Sequence, residues 1–468
     1  MNKSARWLIS VDIGSTFTKG ALFSEEQEQG LILVKRASTP TTEENLSTGF
    51  NILLADLRQF LPSGAINPII EVSSSAKGGL GICAIGIVPD LTLKMARNVA
   101  FSAGAKILSV HSYKLSCKDI FDIKAKNPDI ILFTGGTDGG NEFHVRHNAR
   151  ALSNLQLDVP IIFAGNQAMR DEVASILENK ELVLTENILP EIDKANPEPA
   201  RNTIREIFLS KIIHGKGLDD IVSITGTLPR PTPLAIFEFF KILPQYDSEW
   251  SDFCVVDIGG ATTDVYSVSS EASMACDVIF KGLPEQSASR TVEGDLGLRI
   301  SAETTAEALR NDPNTPYAAR TIYAKDIDAY VRKVQTNKEF IAKEEAVQHF
   351  DSLLAAVCAK LALVRHCGIK EYVYTASGPV AVQKGKNLSS VSRIIGTGGF
   401  LSANKDFNLE SLIVEIKENN SKSVLEYLVP DSSDYWIDNE YLAPLAANIF
   451  HHNPEAAVKF FISKITKA

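Results

Sequence analysis

The chain has 468 residues, more than one hydrophobic core ordinarily holds, so two or three lobes are expected. Hydrophobic residues make up 44% and charged residues 22%, and 57 acidic against 47 basic side chains leave a net charge of −10, which argues against a general nucleic-acid binder. The sequence shows no apolar run near the roughly 20 residues of a membrane helix, no signal-peptide pattern around residues 7–13 and no C-x-x-C spacing among its six cysteines; these features predict a cytoplasmic protein with no membrane partner, no zinc ribbon and no disulfide framework.

Residues 7–23 read as strand, polar tip, strand. Trp7-Leu8-Ile9-Ser10-Val11 leads to Asp12-Ile13-Gly14, the hydroxyl-rich tip Ser15-Thr16-Phe17-Thr18-Lys19 follows, and an apolar strand leaves. Such a tip can hold a phosphate and its metal. Glycine backbone N–H groups approach the anion, hydroxyls donate to it, and the carboxylate organises a hydrated Mg²⁺. Residues 31–36 continue as a strand, and residues 41–61 carry a helical stripe of Leu46, Phe50, Leu53, Leu54, Leu57 and Phe60. Residues 69–88 read as strand, glycine turn, strand. The turn fits a loose G-x-G-x-x-A pattern (Gly79, Gly81, Ala84), but strand residues follow it where a dinucleotide site needs a helix, so tight-turn glycines explain it better.

From residue 92 to 184 helices and strands alternate, as in a parallel sheet. The apolar strand at 129–133 runs into Thr134-Gly135-Gly136-Thr137-Asp138-Gly139-Gly140, which reads equally as a ligand loop beyond a strand end or as a plain connection. A proline-bearing loop at 189–199, a helix at 200–214, the break Pro229-Arg230-Pro231-Thr232-Pro233 and a helix at 234–243 follow. The lobe boundary is expected near residue 250, giving lobes 1–250 and 251–468.

The first tip then recurs. Phe253-Cys254-Val255-Val256 leads to Asp257-Ile258-Gly259-Gly260-Ala261-Thr262-Thr263-Asp264, and Val265, Tyr266 and Val268 resume a strand. Asp257 matches Asp12, Gly259 matches Gly14 and Thr263 matches Thr18, while Gly260 falls opposite Ser15 and Asp264 opposite Lys19. Two such hairpins far apart indicate two related lobes offering phosphate-binding tips to a shared cleft. Residues 290–299, R-T-V-E-G-D-L-G-L-R, form a charged stretch that serves either as a surface turn or as a cleft or partner loop through Glu293 and Asp295. Helical patterns at 301–310, 326–334 and 338–367 follow. Strands at 372–375 and 391–395 run into Ala376-Ser377-Gly378-Pro379 and Gly396-Thr397-Gly398-Gly399, the second allowing close approach to a nucleotide base or ribose. A short β region at 424–439 and helices at 442–450 and 454–465 close the chain. The adjacent pairs His366-Cys367 and His451-His452 are read as poor metal ligands, because sequence neighbours rarely face one ion.

No G-x-x-x-x-G-K-[ST] is present, so this is no P-loop site. The ordered set of two hairpin tips and Gly396-Thr397-Gly398-Gly399 resembles the actin/hexokinase/Hsp70 ATPase superfamily. That resemblance implies an α/β fold of two ribonuclease-H-like lobes with α/β insertions and a nucleotide cleft between them. It implies that Asp12 and Asp257 are catalytic and hold Mg²⁺ through water. Gly14, Ser15, Thr16, Thr18, Lys19, Gly259, Gly260, Thr262 and Thr263 would bind the phosphates of ATP, and Gly396, Thr397, Gly398 and Gly399 the adenosine. More narrowly, V-D-I-G-S-T-F-T-K, T-G-G-T-D-G-G-N, D-I-G-G-A-T-T-D-V-Y-S-V, R-T-V-E-G-D-L-G-L-R, I-I-G-T-G-G and N-P-E-A-A together resemble the glutamate mutase (methylaspartate mutase) accessory protein family, MutL-type and unrelated to mismatch repair.

That family implies a slow Mg-dependent ATPase acting as a chaperone. It would reactivate an adenosylcobalamin-dependent mutase by remodelling the mutase subunits so that damaged cobalamin is exchanged, and a homodimer is compatible with it. Cobalamin would stay on the partner, since the chain has no D-x-H-x-x-G signature. The rival readings are a small-molecule kinase of the same superfamily, with Glu293 or Asp295 as base, a non-enzymatic actin-like scaffold, and a dehydratase activator, for which Cys83 and Cys117 lack the cluster-binding context.

Overall fold

A computed structural model describes residues 6–26, 30–42, 44–63, 65, 67–75, 81–93, 95–96, 99–100, 106–192, 194–213, 217–269, 278–281, 285–311, 317–337, 340, 344–376, 378–420 and 425–468. They form two compact units, one of Met1–Gly78, Gly215–Lys281 and Glu285–Ala468, the other of Gly79–His214 and Gly282–Pro284.

The first unit holds two sheets of one design. In the first, β1 (Arg6–Ile13), β2 (Phe17–Glu26) and β3 (Gly30–Pro40) make an antiparallel meander. Helix α1 (Leu46–Arg58) follows, capped by the Asn45 side chain on Ser47 N, and its stripe Phe50, Leu53, Leu54 and Leu57 is buried. Then β4 (Ile69–Ser74) pairs parallel with β1, and β5 (Arg230–Pro231) parallel with β4, giving the order β5-β4-β1-β2-β3. Helix α2 (Thr232–Tyr246) starts directly after β5 with Pro233 in its first turn, where no N–H is missed.

The second sheet repeats this plan. β6 (Phe253–Ile258), β7 (Thr263–Val268) and β8 (Ala288–Glu293) form the meander; β9 (Arg393–Thr397) and β10 (Asp434–Ile437) add in parallel, and β11 (Thr466–Lys467) closes the edge. Both sheets therefore carry the ribonuclease-H-like order, and the expected α/β fold class is what the chain adopts. Charged residues 290–293 are part of β8 rather than a loop; the alternation Ala288, Arg290, Val292 inward, Ser289, Thr291, Glu293 less buried is strand periodicity that the charges concealed. Helix α3 (Glu345–His366) buries Leu354, Ala355, Cys358, Ala359, Ala362 and Leu363 against this sheet. Contrary to the sequence expectation, Val347–His366 is long and apolar enough to cross a membrane by length and composition.

A shared core joins the two sheets. Leu8, Ala21 and Phe23 of the first and Phe253, Val255, Tyr266 and Val268 of the second pack with Phe239 and Phe240 of α2 and with Leu445, Ala446 and Ile449 of helix α4 (Ala443–Ile449), which follows β10 as α2 follows β5. Phe240 meets Phe253 and Tyr266 edge-on, at 5.9 and 5.6 Å between centroids. Beside it Trp250 and Trp436 meet at 5.4 Å, edge to face. The first unit also carries a four-stranded sheet that includes Ile369–Thr375 and Gly378–Lys384. These two strands form an antiparallel hairpin, so the expected glycine loop at 376–379 is its turn rather than a ligand loop; Ser377 lies outside the described residues.

The second unit is a parallel five-stranded sheet in the order Lys106–Ser112, Gly81–Gly86, Ile130–Phe133, Ile161–Phe163, Leu182–Leu184. The strands on either side of the turn expected near residue 80 thus belong to different sheets; Gly79, Leu80 and, in the alternating region that starts at 92, residues 94, 97–98 and 101–105 lie outside the described residues. The 135–140 loop has a packing reason for its glycines. Gly135 has φ +146°, and a Cβ on Gly165 would lie 2.9 Å from the Gly135 carbonyl oxygen. Asp138 accepts hydrogen bonds from Gln167 N and Asn187 Nδ2, which tie the loop down.

Candidate functional site

The two hairpin tips are built alike. Gly14 N donates to Phe17 O at 3.1 Å, and Gly259 N donates to Thr262 O at 2.9 Å. A Cβ would come within 2.7 Å of Phe17 O at the first glycine, which that turn excludes, and 3.0 Å of Thr262 O at the second, a tight fit. The tips also approach each other: a Cβ on Gly260 would sit 3.0 Å from Thr16 Oγ1.

Below the tips, acids from three strand ends gather. Asp12, at the end of β1, is buried and accepts from Thr232 Oγ1 (2.6 Å), Ser73 Oγ (3.1 Å) and Tyr441 OH (3.3 Å). Burial raises its pKa, and these donors and Lys19 partly offset the rise. Asp438, just past β10, accepts from Leu442 N, Ala443 N and Thr397 Oγ1 at 2.7–2.9 Å, and burial raises it as well. Asp257, at the end of β6, differs. Among the described residues no donor reaches its carboxylate, and burial, with the Asp264 carboxylate next in weight, pushes it up to about 7.

Lys19 is the cation of the group. Its Nζ lies over the Tyr441 ring, 3.2 Å from the centroid, and among the described residues it has no hydrogen bond or ion pair. Burial lowers its pKa, while Asp12, Asp257 and Asp438 pull it back up. An ammonium with three donors to spare and a carboxylate without a donor fit an anion and a divalent cation bound together.

The remaining predicted residues fall into two sets. Ser15 and Thr16 make no side-chain hydrogen bond among the described residues and lie partly exposed at the first tip. Thr18 and Thr263 turn inward. The Thr18 hydroxyl meets Thr41 Oγ1 at 3.0 Å, and Thr263 Oγ1 donates to Leu296 O at 3.1 Å, so neither hydroxyl is offered to a ligand. Thr262 Oγ1 donates to Asp264. The 396–399 loop crosses behind Asp257. Gly398 has φ +97°, and its Cβ would lie 2.4 Å from Ile258 O and 2.8 Å from Asp257 Oδ1. Gly396 faces Tyr435, and the hydroxyl of Thr397, completely buried, goes to Asp438. Gly399 opens the helix Gly399–Ala403.

Glu293 and Asp295 both pair with Arg365, at 2.7 and 2.8 Å. The rest of that stretch braces the second tip: Leu298 N donates to Gly259 O, and Arg299 N and Ile300 N donate to Gly260 O. Arg299 is held in turn by a two-point ion pair with Asp351, to which Tyr330 also donates. Sequence reasoning missed Asp438, Tyr441, Ser73 and Thr232. Their signal is positional: Ser73 lies on the strand paired with the one that bears Asp12, and Thr232, Asp438 and Tyr441 follow the next parallel strand of their sheets, β5 and β10.

A family model described as MutL protein matches residues 8–465. "Protein MutL" of Clostridium tetanomorphum is 36% identical over 465 residues, 98% of each chain. Among solved structures, one titled diol dehydratase-reactivating factor in nucleotide-free form covers 96% of this chain and 100% of its own at 9% identity and TM-score 0.36. A ROK family glucokinase from Streptomyces griseus, in complex with glucose and AMPPNP, covers 97% of this chain and 98% of its own at 9% identity and TM-score 0.31. With the model match spanning nearly its whole length and a full-length relative above one-third identity, the chain belongs to the MutL protein family of the glutamate mutase type, distinct from the mismatch-repair proteins of that name.

Proposed function

We propose that this protein is an ATP-dependent accessory factor that reactivates an adenosylcobalamin-dependent mutase of the glutamate mutase type. The observation that carries the nucleotide reading is the convergence of Asp12, Asp257 and Asp438 on Lys19, which lies over the Tyr441 ring and makes no hydrogen bond or ion pair among the described residues, beneath two glycine tips. In this reading Mg²⁺ is held through water by Asp12 and Asp257, and supplies charge neutralisation for phosphoryl cleavage. Lys19, the backbone of Gly14, Gly259 and Gly260, and the hydroxyls of Ser15 and Thr16 hold phosphate, while the Thr262 hydroxyl stays on Asp264; Gly396, Thr397, Gly398 and Gly399 form the floor under the adenosine. The functional lobes are 1–250 and 251–468, and nucleotide state biases their closure. Damaged cobalamin leaves the partner enzyme, which keeps the cofactor site, and the exchange takes place in the cytoplasm.

The kinase alternative needs a carboxylate base at the acceptor hydroxyl. Glu293 and Asp295, its candidates, are held by Arg365. The test is recovery of inactivated mutase on adding this protein, Mg-ATP and fresh adenosylcobalamin. Recovery is expected with ATP and not without it; equal recovery in the absence of the protein overturns the proposal. ATP turnover yielding a phosphorylated small molecule instead of free phosphate would favour the kinase.

A further inference from the structure

On the first sheet, three ligating side chains meet that the proposed nucleotide site does not use. Glu71 projects from β4, and its Oε1 receives His451 Nε2 at 3.1 Å and His452 Nε2 at 2.8 Å. The two histidines end the short turn Phe450–His452 after α4, with rings 4.1 Å apart between centroids. Turn geometry lets sequence neighbours converge here, against the expectation for adjacent histidines. The three ligand atoms all lie within 4.8 Å of one another. Ligands of a tetrahedral zinc at about 2.0–2.1 Å stand about 3.3 Å apart, so the two Glu71–histidine spacings of 3.1 and 2.8 Å need only a few tenths of an ångström of opening, and the histidine pair lies within the 4.8 Å bound. Glu71 and His452 side chains are each 16% exposed and His451 41%, which leaves one side open to water.

We propose that Glu71, His451 and His452 form a binding site for a divalent metal of the zinc class, with two imidazoles, one carboxylate and an open position filled by water. Arg6 regulates it. Its Nη2 lies 3.0 Å from His452 Nδ1, and its Nη1 3.7 Å from Glu25. A histidine ligating through Nε2 carries its proton on Nδ1 and cannot accept from a guanidinium, so metal entry shifts Arg6 wholly onto Glu25. Arg230, the other nearby cation acting on Glu71, is anchored by donating to Ala447 O and Asn448 O. Bound metal would fasten the end of α4 to the first sheet, at the opposite end of that helix from Tyr441.

The experiment is titration of the full chain, cysteines alkylated, with Zn²⁺ by calorimetry and with Co²⁺ by visible absorption. One metal per chain is expected, with Co²⁺ d–d bands and no thiolate charge-transfer band. Glu71→Gln and His452→Ala, which each remove a ligand, should weaken binding about 100-fold or more, beyond the usual cost of an outer-shell change; His144→Ala should leave it unchanged, and Arg6→Ala should tighten it. Absence of Co²⁺ bands in the wild-type chain overturns the site even if the variants do not fold, as does equal binding by wild type and Glu71→Gln, which would leave Glu71 only a hydrogen-bonded clamp for the histidines.

Discussion

Lys19 stands opposite Asp12 in the first hairpin as Asp264 stands opposite Asp257 in the second. The two positions are equivalent in the backbone and opposite in use. Lys19 lies under the tips over the Tyr441 ring, with no ion pair among the described residues. Asp264 Oδ1 accepts from Arg290 Nη2 and Nε at 2.7 and 3.0 Å, a pair almost wholly buried. One hairpin thus supplies the cation of the site and the other a brace for its own base.

Lys19→Ala should therefore weaken nucleotide binding in proportion to phosphate charge. An affinity loss of about tenfold or more is expected for ATP, with little change for adenosine, since a charge-assisted contact contributes about 1.5–3 kcal/mol. Calorimetric titration with ATP, ADP and adenosine checks this; equal losses for all three would remove Lys19 from the phosphate site.

Asp257→Asn should abolish ATP hydrolysis, by about 100-fold or more, with near-native circular dichroism. Phosphate release at saturating Mg-ATP is the readout. Turnover within a few-fold of wild type would take Asp257 out of the site.

The same variant isolates a pH effect. The Asp257 carboxyl is raised from 3.8 to about 7, so the folded chain binds its proton more tightly than the unfolded chain. Its stabilising contribution is complete below about pH 4 and is lost as pH rises towards 7. Buried His366, lowered to about 3, acts in the other direction but is common to both proteins. Urea unfolding in chelator should show wild type losing stability relative to Asp257→Asn between pH 4 and 7; a constant difference would contradict the assignment.

Arg290→Met should be severely destabilising, by about 3–5 kcal/mol, because it strands a buried carboxylate. The double variant Arg290→Met with Asp264→Leu should recover much of that loss. A denaturant double-mutant cycle measures both.

Gly398→Ala should cost stability and nucleotide affinity together. Its φ of +97° is strained for alanine by about 1–3 kcal/mol, and the added methyl would press on Ile258 O and Asp257. Thermal unfolding and ATP titration of the variant give the two values.

Both hairpins were legible because strand–glycine–strand patterns are local, and Asp12 and Asp257 stand out within them. Asp438 and Tyr441 were not, because nothing near them in sequence marks a site. Their place comes from β10 lying parallel to β9, a long-range pairing. Thr18 and Thr263 look like ligand hydroxyls in sequence. Strand alternation instead turns them inward, to Thr41 and Leu296, which only the third dimension supplies. Charged residues hid β8 for a related reason: Arg290 is buried because Asp264 neutralises it.

The edge-to-face contact of Trp250 and Trp436 has an optical consequence. The chain has three tryptophans, and two of them form this contact. Trp436 is on β10, two residues before Asp438, while Trp250 precedes β6, which ends at the Asp257 tip. A sub-ångström shift of one strand against the other changes the coupling of the two indoles. Native emission and near-ultraviolet dichroism should therefore report nucleotide occupancy without any attached dye.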